Sequence, residues 1–128
     1  MNIAIIEDQK AQREALRQAV GDWLRANAPT GRVAAFEDAE RFLFSQEDEA
    51  FDLLLVDIQL PGESGIKLVE RLRAKGCETT VVFITGLKDF VFQGYKVNAL
   101  DYLLKPVSVK ELYAVLEKAR VRLARQSP

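Results

Sequence analysis

The chain has 128 residues, 48% hydrophobic and 29% charged, with 18 Lys and Arg against 19 Asp and Glu for a net charge of −1. This fits one globular domain with a single core, and the balanced charge excludes a general binder of nucleic acid or membrane surface. The absence of His removes His-based acid–base catalysis, Ser-His triads and His-ligated metals, and a lone Cys77 excludes an internal disulfide.

Read in chain order, the elements alternate. The stretch "NIAII" (2–6) predicts a short buried strand. Residues 9–27 predict a helix, with Leu16, Val20, Trp23, Leu24 and Asn27 at helical spacing and the first four as its apolar stripe. After the turn "APTGR", "RVAAF" (32–36) reads as a strand, and Asp38 caps a short helix reaching about Gln46. "LLLVD" (53–57) is a strand, and Ser64 to Lys75 is a helix whose apolar set is Ile66, Leu68, Val69 and Leu72, stopped by Gly76. "TVVFIT" (80–85) is a strand, about Asp89 to Asn98 a helix, and "ALDYLL" (99–104) a strand. The last helix opens on the pattern Ser108-Val-Lys-Glu111 and runs to about Arg125. Five near-continuous apolar strands alternating with five helices predict an α/β fold, a parallel sheet covered on both faces. No apolar stretch reaches membrane-spanning length, the N-terminus lacks a signal-peptide layout, and the single Cys suits a reducing compartment. The expected location is therefore the cytoplasm.

In open α/β sheets, ligands bind outside the carboxyl ends of the strands, where strand order reverses. Those ends carry chemistry here. The first strand runs into Glu7 and Asp8, the third ends in Asp57, the fourth in Thr85, and the fifth runs into Lys105 and Pro106. Taken singly, each has an ordinary reading: Asp8 as a helix cap, Glu7 as a solvated charge, Asp57 as a loop acid, Thr85 as a strand former, Lys105 as surface. Together they do not. Carboxylates spaced ~4 Å apart repel by roughly 4 kcal/mol per pair at an effective dielectric near 20, so a cation is needed to keep all three ionised. Hard oxygen donors without His or Cys suit Mg2+, which keeps open positions for phosphate oxygens. Lys105 adds a second positive charge and Thr85 a hydroxyl, and an Asp carboxylate is a phosphoryl acceptor.

Over its whole length, from "IIED" through "VDIQLPGESG", "VFIT" and "LKP" to the last helix, the chain resembles a response-regulator receiver domain. The resemblance implies a doubly wound, flavodoxin-like sandwich with five parallel strands in the order 2-1-3-4-5. It implies Asp57 as phosphoacceptor, with Glu7, Asp8, Asp57 and the backbone carbonyl of Gln59 holding Mg2+. Lys105 and Thr85 would contact the phosphoryl group, Tyr102 would be the switch aromatic, and the Lys105–Pro106 bond would be cis. A partner histidine kinase would supply the phosphate. The stretch "KDFVFQGYKVNALDYLLKP" (88–106) is similar to receivers that precede LytTR-type DNA-binding domains. Residues 1–122 would then form the receiver, and 123–128 the start of a linker to an output domain controlling transcription. The domain itself would contact neither nucleic acid nor membrane and would regulate rather than catalyse. Phe90, Phe92 and Tyr95, on the 89–98 helix beside the fifth strand, would form an output face for phosphorylation-enhanced homodimerisation. Two positions depart from the common pattern: Glu63 stands where many receivers have an apolar residue, and Gln59 lies where side chains influence phosphoryl lifetime.

Other readings compete. An Asp-x-Asp phosphatase shares the fold but needs a second acid at position 59, which is Gln. A nucleotide or flavin binder needs a glycine-rich first turn, and "EDQKAQR" is acidic and glycine-free. An interaction module that has lost phosphorylation would not need the full acid set.

Overall fold

The computed structural model describes residues 1–46, 48–86 and 97–126. The described residues form five strands and four helices: β1 (Asn2–Ile6), α1 (Lys10–Asn27), β2 (Arg32–Phe36), α2 (Ala39–Gln46), β3 (Leu53–Asp57), α3 (Gly65–Ala74), β4 (Thr80–Thr85), β5 (Asp101–Leu104) and α4 (Val109–Gln126). All strand pairs are parallel, in the order β2-β1-β3-β4-β5. Parallel pairing follows from the alternation of strand and helix, since each return to the sheet's starting edge needs a crossover.

The strand interiors are apolar because each strand faces a helix layer on both sides, and the polar residues Asn2, Arg32, Asp57, Thr80, Thr85 and Asp101 sit at strand ends. Side chains alternate between faces. Ile3, Ile5, Leu53, Leu55, Val82 and Ile84 pack with Leu16, Val20, Trp23 and Leu24 of α1 and Leu112, Val115, Leu116 and Ala119 of α4. Ala4, Ile6, Leu54, Val56, Val81 and Phe83 pack with Ala39 and Phe42 of α2 and Ile66, Leu68, Val69 and Leu72 of α3. The result is a three-layer sandwich with the sheet in the middle. Every residue of β3 and β4 is buried.

Boundaries match the sequence reading to within two residues except at specific ends. Asp38 caps α2 as expected, its Oδ1 accepting from the Arg41 amide at 2.8 Å. Ser108 caps α4 by accepting from the Glu111 amide at 3.1 Å. Gly76 ends α3 in the left-handed region, at φ 82°. There the Cys77 amide donates to the Leu72 carbonyl at 2.9 Å and the Gly76 amide to that of Arg73 at 3.0 Å, a Schellman closure. β5 is shorter than its apolar run. Registered pairing starts where Asp101 meets Val82, and just ahead of it the Leu100 amide donates to the Val81 carbonyl at 2.7 Å. α4 ends at Gln126, one residue past the end read from the sequence. The expected helix at 89–98 falls almost wholly on 87–96, outside the described residues, as do Phe90, Phe92 and Tyr95.

One aromatic cluster anchors the α2 side. Phe42 is fully buried and meets Phe36 edge-on at 5.6 Å and Phe51 at 5.9 Å between ring centres. Removing this ring leaves a cavity walled by a strand and a loop that cannot collapse freely. Phe42→Ala is expected to lower the free energy of unfolding by about 3–5 kcal/mol in a urea titration. A loss below about 1 kcal/mol would mean that the cluster tolerates the void.

Candidate functional site

Sheet order places the site. β1 lies between β2 and β3, so the chain winds outward in opposite directions from it and leaves a crevice at the carboxyl ends. Pairing continues past the formal strand ends. The Glu7 amide donates to the Phe36 carbonyl at 3.0 Å, that of Ile58 to Ile84 at 3.1 Å, and that of Lys105 to Thr85 at 2.9 Å. Glu7, Asp57, Thr85 and Lys105 are thus fixed along one edge by backbone hydrogen bonds.

The side chains converge there. Lys105 Nζ lies 2.8 Å from Asp57 Oδ2 and 3.2 Å from each carboxylate oxygen of Glu7. The second oxygen of Asp57, Oδ1, accepts from the Gln59 backbone amide at 2.9 Å. One carboxylate oxygen from each of Glu7, Asp8 and Asp57 lies within 4.8 Å of the others. Glu7 is 0% exposed and Asp57 3%, while the Lys105 side chain keeps 24% of its surface in solvent. Lys105 and Asp8 are therefore the members of the cluster that reach water.

Burial and charge crowding set the titration. Desolvation, then the hydrogen bond and negative charge of Asp57, push the Glu7 carboxyl up to about 7, and Lys105 opposes the rise. For Lys105, burial works against the charge, but the hydrogen bonds and charges of Asp57 and then Glu7 outweigh it and hold the ammonium above its ordinary value. One cation thus serves two buried carboxylates with a third close by. Such a cluster favours a further positive ion.

Local sequence explains how Asp57 is held at the end of its strand. After Ile58, Pro61 and Gly62 turn the chain, with Gly62 at φ 79°. The chain then returns so closely that a Cβ on Gly65 would lie 2.2 Å from the Asp57 carbonyl oxygen. Only glycine lets α3 begin against the strand end that carries Asp57. Its amide donates to the Ile58 carbonyl at 2.9 Å, and Ser64 caps the helix by accepting from the Lys67 amide at 3.2 Å. Glu63 is answered by Arg71 at 2.6 Å, so the charge expected to intrude on the site has its own partner on α3.

Thr85 is fully buried at the end of β4. Tyr102 stacks on Phe83 of the same strand at 5.8 Å between ring centres. The Lys105–Pro106 bond is cis. Asp8 does not occupy the helix-cap position considered for it, since Gln9 does, and Gln9 makes no side-chain cap bond. Two supports were not read from the sequence. One is the contact that requires Gly65, whose only signal is a poor helix former at the start of a helix. The other is Arg13, whose Nη1 donates to the carbonyls of Glu7 at 3.0 Å and Asp8 at 3.1 Å. A contact five and six residues back, across a loop, leaves no periodic trace.

Residues 3–117 match the family described as response regulator receiver domain. The chain belongs to that family. As a receiver, it is 32% identical over 130 residues to the positive alginate biosynthesis regulatory protein of Pseudomonas aeruginosa, covering 97% of this chain and 50% of that one. It is 30% identical over 128 residues to the sensory transduction protein LytT of Enterococcus faecalis, covering 100% of this chain and 51% of that one. This receiver therefore spans about half the length of these curated relatives. Its fold superimposes on the BeF3-activated receiver domain of DrrB from Thermotoga maritima with a TM-score of 0.74 and 29% identity, over 93% of this chain and 96% of that one. Receivers are regulatory domains of response regulators, which histidine kinases phosphorylate, and they bind Mg2+ at an acidic pocket of the kind formed here by Glu7, Asp8 and Asp57. Among the described residues, no helix is long and apolar enough to cross a membrane.

The raised Glu7 carboxyl has a consequence for stability. Its folded value of about 7 exceeds the ordinary 4.5, so the protonated form is the one the fold favours. The stabilisation is complete below 4.5 and is lost as pH rises through about 7. In chelator, the melting temperature of the wild type is expected to fall relative to Glu7→Gln between about pH 5 and about pH 8 in scanning calorimetry. Parallel curves would show that Glu7 titrates as in water.

Proposed function

We propose that the domain accepts a phosphoryl group on Asp57 from the phosphohistidine of a partner kinase and passes the change to an output surface. The observation that carries this reading is the position of Lys105 Nζ, within 3.2 Å of both buried acids at the open end of the sheet. A receiver site needs an acid that is reachable, a cation beside it, and a second acid able to hold a metal. Glu7, Asp8, Asp57 and the Gln59 carbonyl would hold Mg2+. The donor set is all oxygen, which fits a hard cation. When bound, Mg2+ supplies positive charge to the oxygens of an incoming phosphoryl group.

The chain's own residues set up the transfer. The Gln59 amide holds Asp57 Oδ1, which leaves the carboxylate oriented with Oδ2 toward Lys105. A carboxylate oxygen of Asp57 attacks phosphorus, the P–N bond to imidazole breaks, and the imidazole nitrogen keeps the electron pair. The phosphoryl group carries about −1.5 to −2 charge, in place of the single charge of the Asp57 carboxylate, and Lys105 is placed to offset it. Water later breaks the acyl phosphate and restores Asp57.

Thr85 would hydrogen-bond the phosphoryl oxygens, and Tyr102 would follow. The register supports this pairing: Thr85 and Phe83 lie on β4, and Phe83 is paired with and stacked on Tyr102 of β5. A change at the end of β4 has a short packed route to β5. The output face would be formed by residues 89–98, with Phe90, Phe92 and Tyr95, together with β5 and α4. Phosphorylation would strengthen self-association through it. The similarity to LytT, and the half length of that relative that lies beyond this domain, support a LytTR-type DNA-binding domain as the output.

Acetyl phosphate with Mg2+ is expected to add one phosphoryl mass to the wild type and none to Asp57→Asn, read by intact-protein mass spectrometry. Equal uptake by Asp57→Asn would move the acceptor elsewhere. Thr85→Ala is expected to take up phosphate but to lose the phosphorylation-dependent increase in sedimentation coefficient. Full retention of that increase would remove Thr85 from the mechanism.

A further inference from the structure

We infer that Arg13 is a positioning residue: it holds the bend that aims Glu7 and Asp8 at one point, and so sets the affinity of the acid cluster for a divalent cation. The inference rests on the reading of those acids as a Mg2+ site.

In an extended strand, adjacent side chains project to opposite faces, and successive carbonyls also point opposite ways. Glu7 and Asp8 are adjacent, and β1 ends just before them, at Ile6. If the strand simply continued, only one of the two carboxylates could approach Asp57. Yet oxygens of both lie within 4.8 Å of an Asp57 oxygen. The chain must therefore bend at this pair, and it does so at Asp8. The same bend brings both carbonyls to one side, where a single nitrogen, Nη1 of Arg13, receives them at 3.0 and 3.1 Å.

The mounting is firm. Arg13 belongs to the first turn of α1, its amide donating to the Gln9 carbonyl at 2.8 Å. The N-cap offers no substitute, because Gln9 makes no side-chain cap bond and the first turn has no acid to reach back. Arg13 therefore ties the loop to the helix where a cap would otherwise do so. Its contacts there go to main-chain oxygens, which leaves the carboxylate oxygens for the cation. Partners that orient a metal ligand from outside the coordination sphere are worth about 10–100-fold in affinity when removed.

Calorimetric titration with MgCl2, well below the melting temperature and with folding checked by circular dichroism, tests this on three proteins. The wild type is expected to bind. Arg13→Met is expected to bind about 10-fold more weakly or worse. Arg13→Lys, whose ammonium can bridge two carbonyls, is expected to stay within about threefold of the wild type. The rate of phosphoryl uptake from acetyl phosphate supplies the second readout. In Arg13→Met it should recover as MgCl2 is raised, which a merely loosened fold would not do. A folded Arg13→Met with wild-type Mg2+ affinity would overturn the inference and leave the Mg2+ reading standing. A wild type that binds no Mg2+ would overturn both. If Arg13→Met does not fold, Arg13→Gln, which can donate to only part of the bend, is read the same way: weakened binding supports the inference and unchanged binding defeats it.

Discussion

One ammonium group between two buried carboxylates is the constraint on which the site depends. Lys105 lies on the far side of β4 from Asp57 in the sheet order, and Glu7 on the opposite side of β3. Three separate strands must end at the same level for Nζ to lie 2.8 Å from Asp57 and 3.2 Å from Glu7. Leaving a buried carboxylate without a partner costs several kcal/mol, so the register of the strands and the ion cluster reinforce each other. Yet the cluster is not neutral by itself. Among the described residues two buried acids and Asp8 face one lysine, and burial, followed by the hydrogen bond and charge of Asp57, raises the Glu7 carboxyl. A site so arranged is stable enough to form and still receptive to added positive charge.

The remaining architecture keeps that cluster accessible. Backbone hydrogen bonds beyond the strand ends hold Glu7, Ile58 and Lys105 in line. Gly65 lets α3 start directly against the carbonyl of Asp57, and Gly62 turns the intervening loop at φ 79°. The Glu63–Arg71 pair fastens the same loop to α3. These are separate devices with one effect: the acid is fixed in direction at the strand end. On the β4 side, the stack of Phe83 on Tyr102 joins the site to an edge strand, where a change can be read from outside. Edge strands and their neighbours are natural contact surfaces because they have a free side.

Much of this was legible in the sequence, for identifiable reasons. Strand runs such as "LLLVD" and "TVVFIT" are apolar through consecutive interior positions, a pattern that burial on two faces explains, so fold class and the limits of these strands could be read directly. The acids, Thr85 and Lys105 stood out because each interrupts or terminates such a run. Their convergence rested on the topology rule for α/β sheets and, for roles, on family resemblance. β5 starts two residues later than the apolar run suggests, because Ala99 and Leu100 precede the registered ladder, although the Leu100 amide already donates to the Val81 carbonyl at 2.7 Å. Arg13 and Gly65 were not legible. Their importance is steric and main-chain, arising from distances of 2.2 to 3.1 Å that exist only after the loops close.

The central claim is that the strand ends converge to place a divalent cation among Glu7, Asp8 and Asp57, beside the carboxylate that accepts phosphate. The most direct test is diffraction from crystals grown with MnCl2, recorded at a wavelength where manganese scatters anomalously. The account predicts one strong anomalous peak, bonded to carboxylate oxygens of Asp8 and Asp57 and to the Gln59 carbonyl, with Glu7 in reach. A well-ordered site without a peak, or a peak only elsewhere on the domain, would contradict it.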